Sequence, residues 1–255
     1  MKKTLFKTTL LFSILFISCN KENKVVTDDL TTNRQPVANN ISMTKELDSL
    51  YNLISSSSDA DKRDSSLETL RNTITDKYAN TESLYDFVPD ENSFIKSVES
   101  KDRKLKILSW KTTNDSTEDY DHIFVWNTNN KVDFKSDFSK KDNKHTIKTI
   151  HQFDSKNKTY YVVHTSTKGE DFKENKLVSF EITNNKLVKI PLFKENNKNL
   201  NQLEISAKTV DNKEITDDQL ITVNEATIKV AKKSGPYLNN DYDTYIWNGN
   251  FFVKQ

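Results

Sequence analysis

The chain has 255 residues, with 38 Lys and Arg against 37 Asp and Glu and a formal charge of +1. That balance leaves no basic footprint for nucleic acid, which requires Lys and Arg clustered on one face. A single cysteine excludes an internal disulfide framework, and three glycines, at 169, 235 and 249, exclude a glycine-rich phosphate loop.

The N-terminus reads "MKKTLFK", placing Lys2, Lys3 and Lys7 ahead of an apolar stretch from Thr8 to Ile17. A cationic start, a short apolar middle and a small residue before the break are the parts of a secretory signal peptide. The stretch is too short for a spanning helix, which needs about 20 residues. The run Leu15, Phe16, Ile17, Ser18, Cys19 follows the lipobox pattern, with Phe16 where leucine is usual and Leu15 beside it. It resembles the signal of bacterial lipoproteins, which implies cleavage before Cys19 and acylation of its thiol and new amine. Each buried lipid methylene contributes about 0.8 kcal/mol and stable anchoring takes more than one chain, a requirement a multiply acylated cysteine meets. Losing residues 1–18 would remove three lysines, shift the formal charge to −2 and leave 237 residues, enough for one sizeable domain.

Residues 19–41 then form a polar tether without periodicity. Lys21 and Glu22, two and three residues after the cysteine, resemble the surface-export signals of Bacteroidetes lipoproteins. Residues 42–98 carry helical patterns. Met43, Leu47, Leu50, Tyr51 and Ile54 share one face, and the serines at 55–58 end that helix. Asp59 or Asp61 starts a second, with Leu67, Leu70, Ile74 and Tyr78 on its stripe. Together they predict an αα-hairpin that must pack on something further, since isolated helices this short are marginal.

From 99 to 255 the pattern is β-rich: short runs of Ile, Val, Tyr, Phe, Trp and Thr bounded by Asn, Asp, Lys or Ser. Asn-Asn pairs at 129–130 and 184–185, and the turns in "SKNKTY" and "WNGNFF", supply the conformations that hairpins need in a chain poor in glycine. Turn asparagines at 130, 157 and 185 repeat every 27 or 28 residues. The fold class is therefore mainly β, an antiparallel β-meander (sandwich or barrel-like) preceded by a short α-helical hairpin, with a small β-propeller as the alternative. "KLKILSW" alternates strictly and predicts one wet face, whereas "IFVW" and "TYYVV" predict strands covered on both faces.

The segment "SVESKDRKLKILSW" and the later "KTYYVVHTS" are similar to uncharacterised lipoproteins of Bacteroidetes. Ser100, Asp102, Lys104, Leu105, Ile107, Ser109 and Trp110 carry the similarity, with Tyr160 and Tyr161. In that family's usual pattern a glycine precedes the lysine, where this chain has Arg103. The resemblance implies a β-rich fold and an envelope location and brings no active site with it.

Candidate chemistry is sparse. His151 and His164 flank the Asn157 turn, and a register centred between Asn157 and Lys158 would set them opposite each other as two metal ligands. No third ligand or metal spacing accompanies them, so two ordinary strand histidines are the simpler reading and no metal is assigned. Trp126 and Trp247 each precede an Asn and a turn, where exposed rings would make a platform for a sugar or protein; buried, they are cross-strand packing. The acid pairs Glu118/Asp119, Asp217/Asp218 and Asp241/Asp243 offer glycosidase-type carboxylates, yet their surroundings read as turns. No Gly-x-Ser-x-Gly occurs.

The sequence thus reads as a lipid-anchored cell-envelope lipoprotein of the outer membrane, periplasmic or surface-facing, held to the membrane through its N-terminal lipid. It reads as a non-enzymatic binding or scaffolding module for a protein or glycan partner, without a cofactor and without nucleic acid. An envelope hydrolase of glycan or peptide, using loop carboxylates, is the alternative.

Overall fold

Polar and apolar spacing sets the helices first. In the computed structural model, which describes residues 38–78, 82–112, 119–128, 131–137, 144–209 and 213–255, α1 (Ala38–Ser56) begins four residues inside the segment read as tether. The rest of that segment, with Cys19, lies outside the described residues. Asp59 caps α2 (Ala60–Asn72), its carboxylate accepting from the amides of Asp61 and Lys62, which satisfies two donors the helix cannot pair internally. The second helix widens into a π-helical turn over Thr73–Tyr78. There the Thr73 and Thr75 hydroxyls bond back to the carbonyls of Thr69 and Arg71, at 2.8 and 3.0 Å, a competition that distorts helices. A short α3 (Glu82–Asp86) follows.

Three sheets come next. The first is β1 (Lys96–Glu99), β2 (Leu105–Lys111), β3 (Tyr120–Thr128) and β4 (Lys131–Asp137), in that order across the sheet. The second is built on β5 (Thr146–Ser155), β6 (Lys158–Lys168) and β7 (Phe172–Thr183). β8 (Lys186–Lys189) and β11 (Gln202–Lys208) share the free edge of β7, pairing with its two ends. The third runs β10 (Lys198–Leu200), β9 (Phe193–Glu195), β15 (Phe252–Lys254), β14 (Tyr237–Trp247), β13 (Thr227–Ser234) and β12 (Ile221–Val223). Every pairing is antiparallel except β15 with β9, where the last strand slots in beside a distant one. Asn184 and Asn185 both take positive φ, 49° and 58°, in the β7–β8 turn, the two left-handed residues a tight hairpin needs. Asn129 and Asn130 lie outside the described residues.

Side-chain alternation stacks these layers. Ile123 and Val125 of β3 face the helices, with Met43, Leu47, Leu70 and Trp110. Phe124 and Trp126 face the second sheet, with Ile107, Tyr161 and Val163. Tyr160 and Val162 of β6 face the third sheet, with Leu177, Phe193 and Phe252. The order is helices, first sheet, second sheet, third sheet. Among the described residues no buried cluster joins the first sheet to the third, so the sheets form a stack of antiparallel layers, neither a closed barrel nor a ring of propeller blades.

One expectation fails at β2. "KLKILSW" has no wet face: Lys106 is 2% exposed, and β2 is buried along nearly its whole length. Its ammonium donates to the carbonyls of Tyr85 and Phe87, the latter at 3.1 Å, with the Glu99 carboxylate 3.9 Å away. A lysine stem long enough to cross a layer lets its charge end on backbone oxygens instead of water.

Arg71 of α2 clips the helices to the first sheet. It meets the fully buried Asp121 of β3 through two bonds, Nε to Oδ2 at 2.8 Å and Nη2 to Oδ1 at 2.9 Å. Breaking one side of such a pair costs about 3–5 kcal/mol, because the other charge stays desolvated. Arg71→Ala is expected to lower the urea midpoint by a loss of that order, with little change in the slope, in an equilibrium unfolding experiment.

Candidate functional site

The first and second sheets do not close along one edge. On β3, His122, Phe124 and Trp126 face the second sheet, and their cross-strand partners on β4 are Asp137, Lys135 and Asp133. On the second sheet, Phe180, Val178 and Lys176 of β7 have Lys189, Gln202 and Glu204 as edge partners. Charged and polar residues therefore occupy both facing edges, where apolar ones would have sealed the sandwich. The gap is a cleft of about 270 Å³. Its floor is apolar, with Val163, Val178 and Leu187 around a Phe124–Phe180 pair whose ring centroids lie 5.8 Å apart. One step further along β3 the sheets are pinned: Trp126 Nε1 donates to the Asn185 carbonyl at 3.1 Å, and the Thr128 hydroxyl donates to Oδ1 of Asn185 at 2.7 Å.

His122 and His145 lie in the cleft lining, with Thr165. His122 is 3% exposed. Its Nδ1 is 2.9 Å from the Ser109 hydroxyl, while its Nε2 is buried without a partner. Burial pushes its pKa down to about 4, against a smaller upward pull from Asp137. The His145 ring bonds the Thr167 hydroxyl; burial and then the nearby Lys176 lower its pKa too. Lys176 is paired with Glu204 at 3.1 Å. Lys135 and Lys189 are exposed at the mouth, and no hydrogen bond or ion pair holds either among the described residues.

His151 and His164 lie elsewhere, on the face of the second sheet that packs against the third. The turn closes as Ser155↔Lys158, so His151 sits opposite Val162 and His164 opposite Thr149. The two rings are diagonal neighbours with centroids 6.2 Å apart, each with an unpartnered Nε2. The turn is centred one residue earlier than the register that would have set them face to face. Burial lowers the pKa of both, His151 to about 4. Among the described residues no group of three or more His, Cys, Asp or Glu is placed to hold a metal ion.

The tryptophans are packing residues. Trp126 is 4% exposed within the core between first and second sheets. Trp247, half-buried, packs against Phe153, Tyr160 and Phe252 at 5.1–5.9 Å. Neither ring presents an open platform.

One member of each of two acid pairs, Asp217 and Asp243, is held by lysines. Asp217, in the first turn of α4 (Asp217–Leu220), binds Ser166 at 2.7 Å, Lys173 at 3.0 Å and Lys148 at 3.2 Å. Burial alone would raise its pKa, but those three partners outweigh it and hold the carboxyl at about 2. Asp243 lies between Lys254 at 2.8 Å and Lys232 at 3.4 Å, which likewise outweigh burial and hold it low. A glycosidase acid needs a pKa raised toward neutrality, the opposite of both. Asp218 and Asp241 are exposed, Asp119 is part-buried, and Glu118 lies outside the described residues.

Ser100, Asp102 and Tyr161 come together in space. Asp102 accepts from the Ser100 hydroxyl at 2.7 Å and the Tyr161 hydroxyl at 2.8 Å, and its amide donates to Gln152 Oε1 at 2.8 Å. This ties the β1–β2 turn to the second sheet. Arg103 in that turn has φ +60°, a left-handed conformation that favours glycine. The chain matches no family model, no curated protein and no solved structure.

The buried histidines give the protein a pH signature. A proton lost from His122 on folding stays bound in the unfolded chain below about pH 6.5, so stability falls as pH drops from there toward about 4. At pH 5 the loss from His122 alone is on the order of 2 kcal/mol. Asp217 contributes in a lower window, between about 3.8 and 2. Urea midpoints are expected to fall from pH 7.5 to pH 5, and a His122→Gln/His151→Gln variant should flatten that slope; a flat profile in the parent protein contradicts the assignment.

Proposed function

We propose that the chain is a lipid-anchored lipoprotein of the bacterial cell envelope whose stacked β body is a non-enzymatic binding module, with the cleft between first and second sheets as its binding site. The observation that carries the binding reading is that cleft: an apolar floor, two lysines at its mouth without partners among the described residues, and a buried imidazole nitrogen without a partner. Concave apolar sites with a few placed polar groups are where small ligands bind. Hydrolysis is less well supported, since Asp217 and Asp243 are held ionised by their lysines.

Anchoring rests on Cys19 at the end of a lipobox and on a polar segment after it. Among the described residues no helix is long and apolar enough to cross a membrane. The likeness to uncharacterised Bacteroidetes lipoproteins gains support from two details. Ser100, Asp102 and Tyr161 form one hydrogen-bonded cluster, and Arg103, at the position where that family's usual pattern has glycine, has a φ of +60°.

Labelling cells with a clickable fatty acid is expected to tag the parent protein and not Cys19→Ser, while the variant unfolds at the same temperature. Protease treatment of intact cells then reads which side the body faces. An unlabelled parent protein would remove the anchor from the proposal.

A further inference from the structure

Granting the cleft as the binding site, we propose that its occupant is a small amphipathic organic anion, an apolar body bearing one carboxylate. Lys135 is the cross-strand partner of Phe124, and Lys189 that of Phe180. Each ring of the Phe124–Phe180 pair is therefore flanked, on the same face of its own sheet, by a lysine toward the open edge. The two lysines come from opposite walls and line the same cleft as those rings. An occupant lying on the apolar floor presents its polar end to them.

The charges at the cleft differ in availability. Lys176 is neutralised by Glu204 at 3.1 Å, with Glu174 3.9 Å away. Among the described residues Asp137 is the one acid in the lining, the cross-strand partner of His122 and two residues from Lys135 on β4. Lys135 and Lys189 thus have no ion-pair partner among the described residues, with Asp133 and Asp137 flanking Lys135 on the same face of β4, and the Thr165 hydroxyl and the buried His122 Nε2 also line the cleft. This arrangement disfavours an amine at the lysine end.

The donors also discriminate among anions. Bidentate recognition of phosphate draws on arginine or converging backbone amides, and among the described residues the lining has neither an arginine nor a helix N-terminus. Lysines act as point charges and suit a monoanion. Size is the last restriction: about 270 Å³ is roughly nine water volumes at about 30 Å³ each. An occupant of around ten non-hydrogen atoms fits, such as a medium-chain fatty acid or an arylalkanoate.

Octanoate is the direct probe, with octylamine and 1-octanol as matched cationic and neutral tails. Each is titrated below its micellar range into the full chain carrying Cys19→Ser. Calorimetry gives affinity, and methyl NMR shifts of Val163, Val178 and Leu187 give location. Octanoate is expected to bind one to one with sub-millimolar affinity and shift those methyls. Octylamine and octanol, and octanoate on Lys135→Ala/Lys189→Ala, should bind at least about tenfold more weakly. The double variant should keep the parent melting temperature, since both side chains are exposed. Octylamine or octanol shifting the same methyls with octanoate's affinity, or octanoate binding unaffected by the double variant, would overturn the anion while leaving the cleft as a site. Octanoate shifting only residues outside the cleft would also overturn it. If neither these probes nor a mixed fragment set of neutral, cationic and anionic compounds moves the cleft methyls, the binding site itself falls.

Discussion

Strands that are apolar at consecutive positions cannot rest with one face in water, and the architecture follows from that constraint. Neighbouring residues on a strand point to opposite sides. Ile123, Phe124, Val125 and Trp126 on β3, and Tyr160, Tyr161, Val162 and Val163 on β6, therefore demand cover on both faces. Each large side chain fully buried contributes about 1.5–3 kcal/mol of transfer free energy. A single two-sheet sandwich covers one face of each sheet. Here the helical hairpin covers the outer face of the first sheet and the third sheet covers the outer face of the second, so four layers enclose three cores.

Apolar contact is not directional, and each interface also carries polar contacts that fix its register. Arg71–Asp121 holds the helices to the first sheet. Tyr161–Asp102 and Trp126–Asn185 hold the first to the second. Asp217, reaching Ser166, Lys148 and Lys173, holds α4 against the second sheet. The cleft lies where the apolar pattern lapses: β4 turns Asp133, Lys135 and Asp137 toward a sheet whose edge offers Lys189, Gln202 and Glu204. Facing charged edges keep the layers apart and leave space above Phe124 and Phe180. Charge turned inward on an edge strand is also a recognised way of blocking edge-to-edge association.

Local features were legible in the sequence. The helical stripes, an aspartate cap at 59 or 61, the hairpins and the Asn184–Asn185 turn each follow from chemistry a few residues long, and the structure takes Asp59 as the cap. Longer-range features were not. Nothing near β11 says that it pairs with β7, and nothing near β15 places it parallel to β9. Lys106 reads as a solvent residue because its type usually is one, and only the carbonyls of Tyr85 and Phe87 reveal otherwise. Of four histidines, the pair singled out by its turn lies in a core, while His122 on β3 and His145 just before β5 meet at the cleft. A signal for the site did exist in "KVDFKSD", whose charges at 133, 135 and 137 share one face. Its meaning depended on which layer that face met.

Two adjacent positions on β2 test the double cover most directly. Ile107 faces the second sheet and Leu108 the helices, at 0% and 1% exposure. In the Cys19→Ser background, Ile107→Cys and Leu108→Cys each introduce one thiol, with Lys186→Cys as the exposed reference. Reaction with a water-soluble thiol reagent under native conditions should be slower at both positions than at the reference by roughly a hundredfold or more, limited by opening of the fold. If the thiol introduced at either β2 position reacts at the reference rate while the protein remains folded, one face of β2 is wet and the stack of layers is wrong.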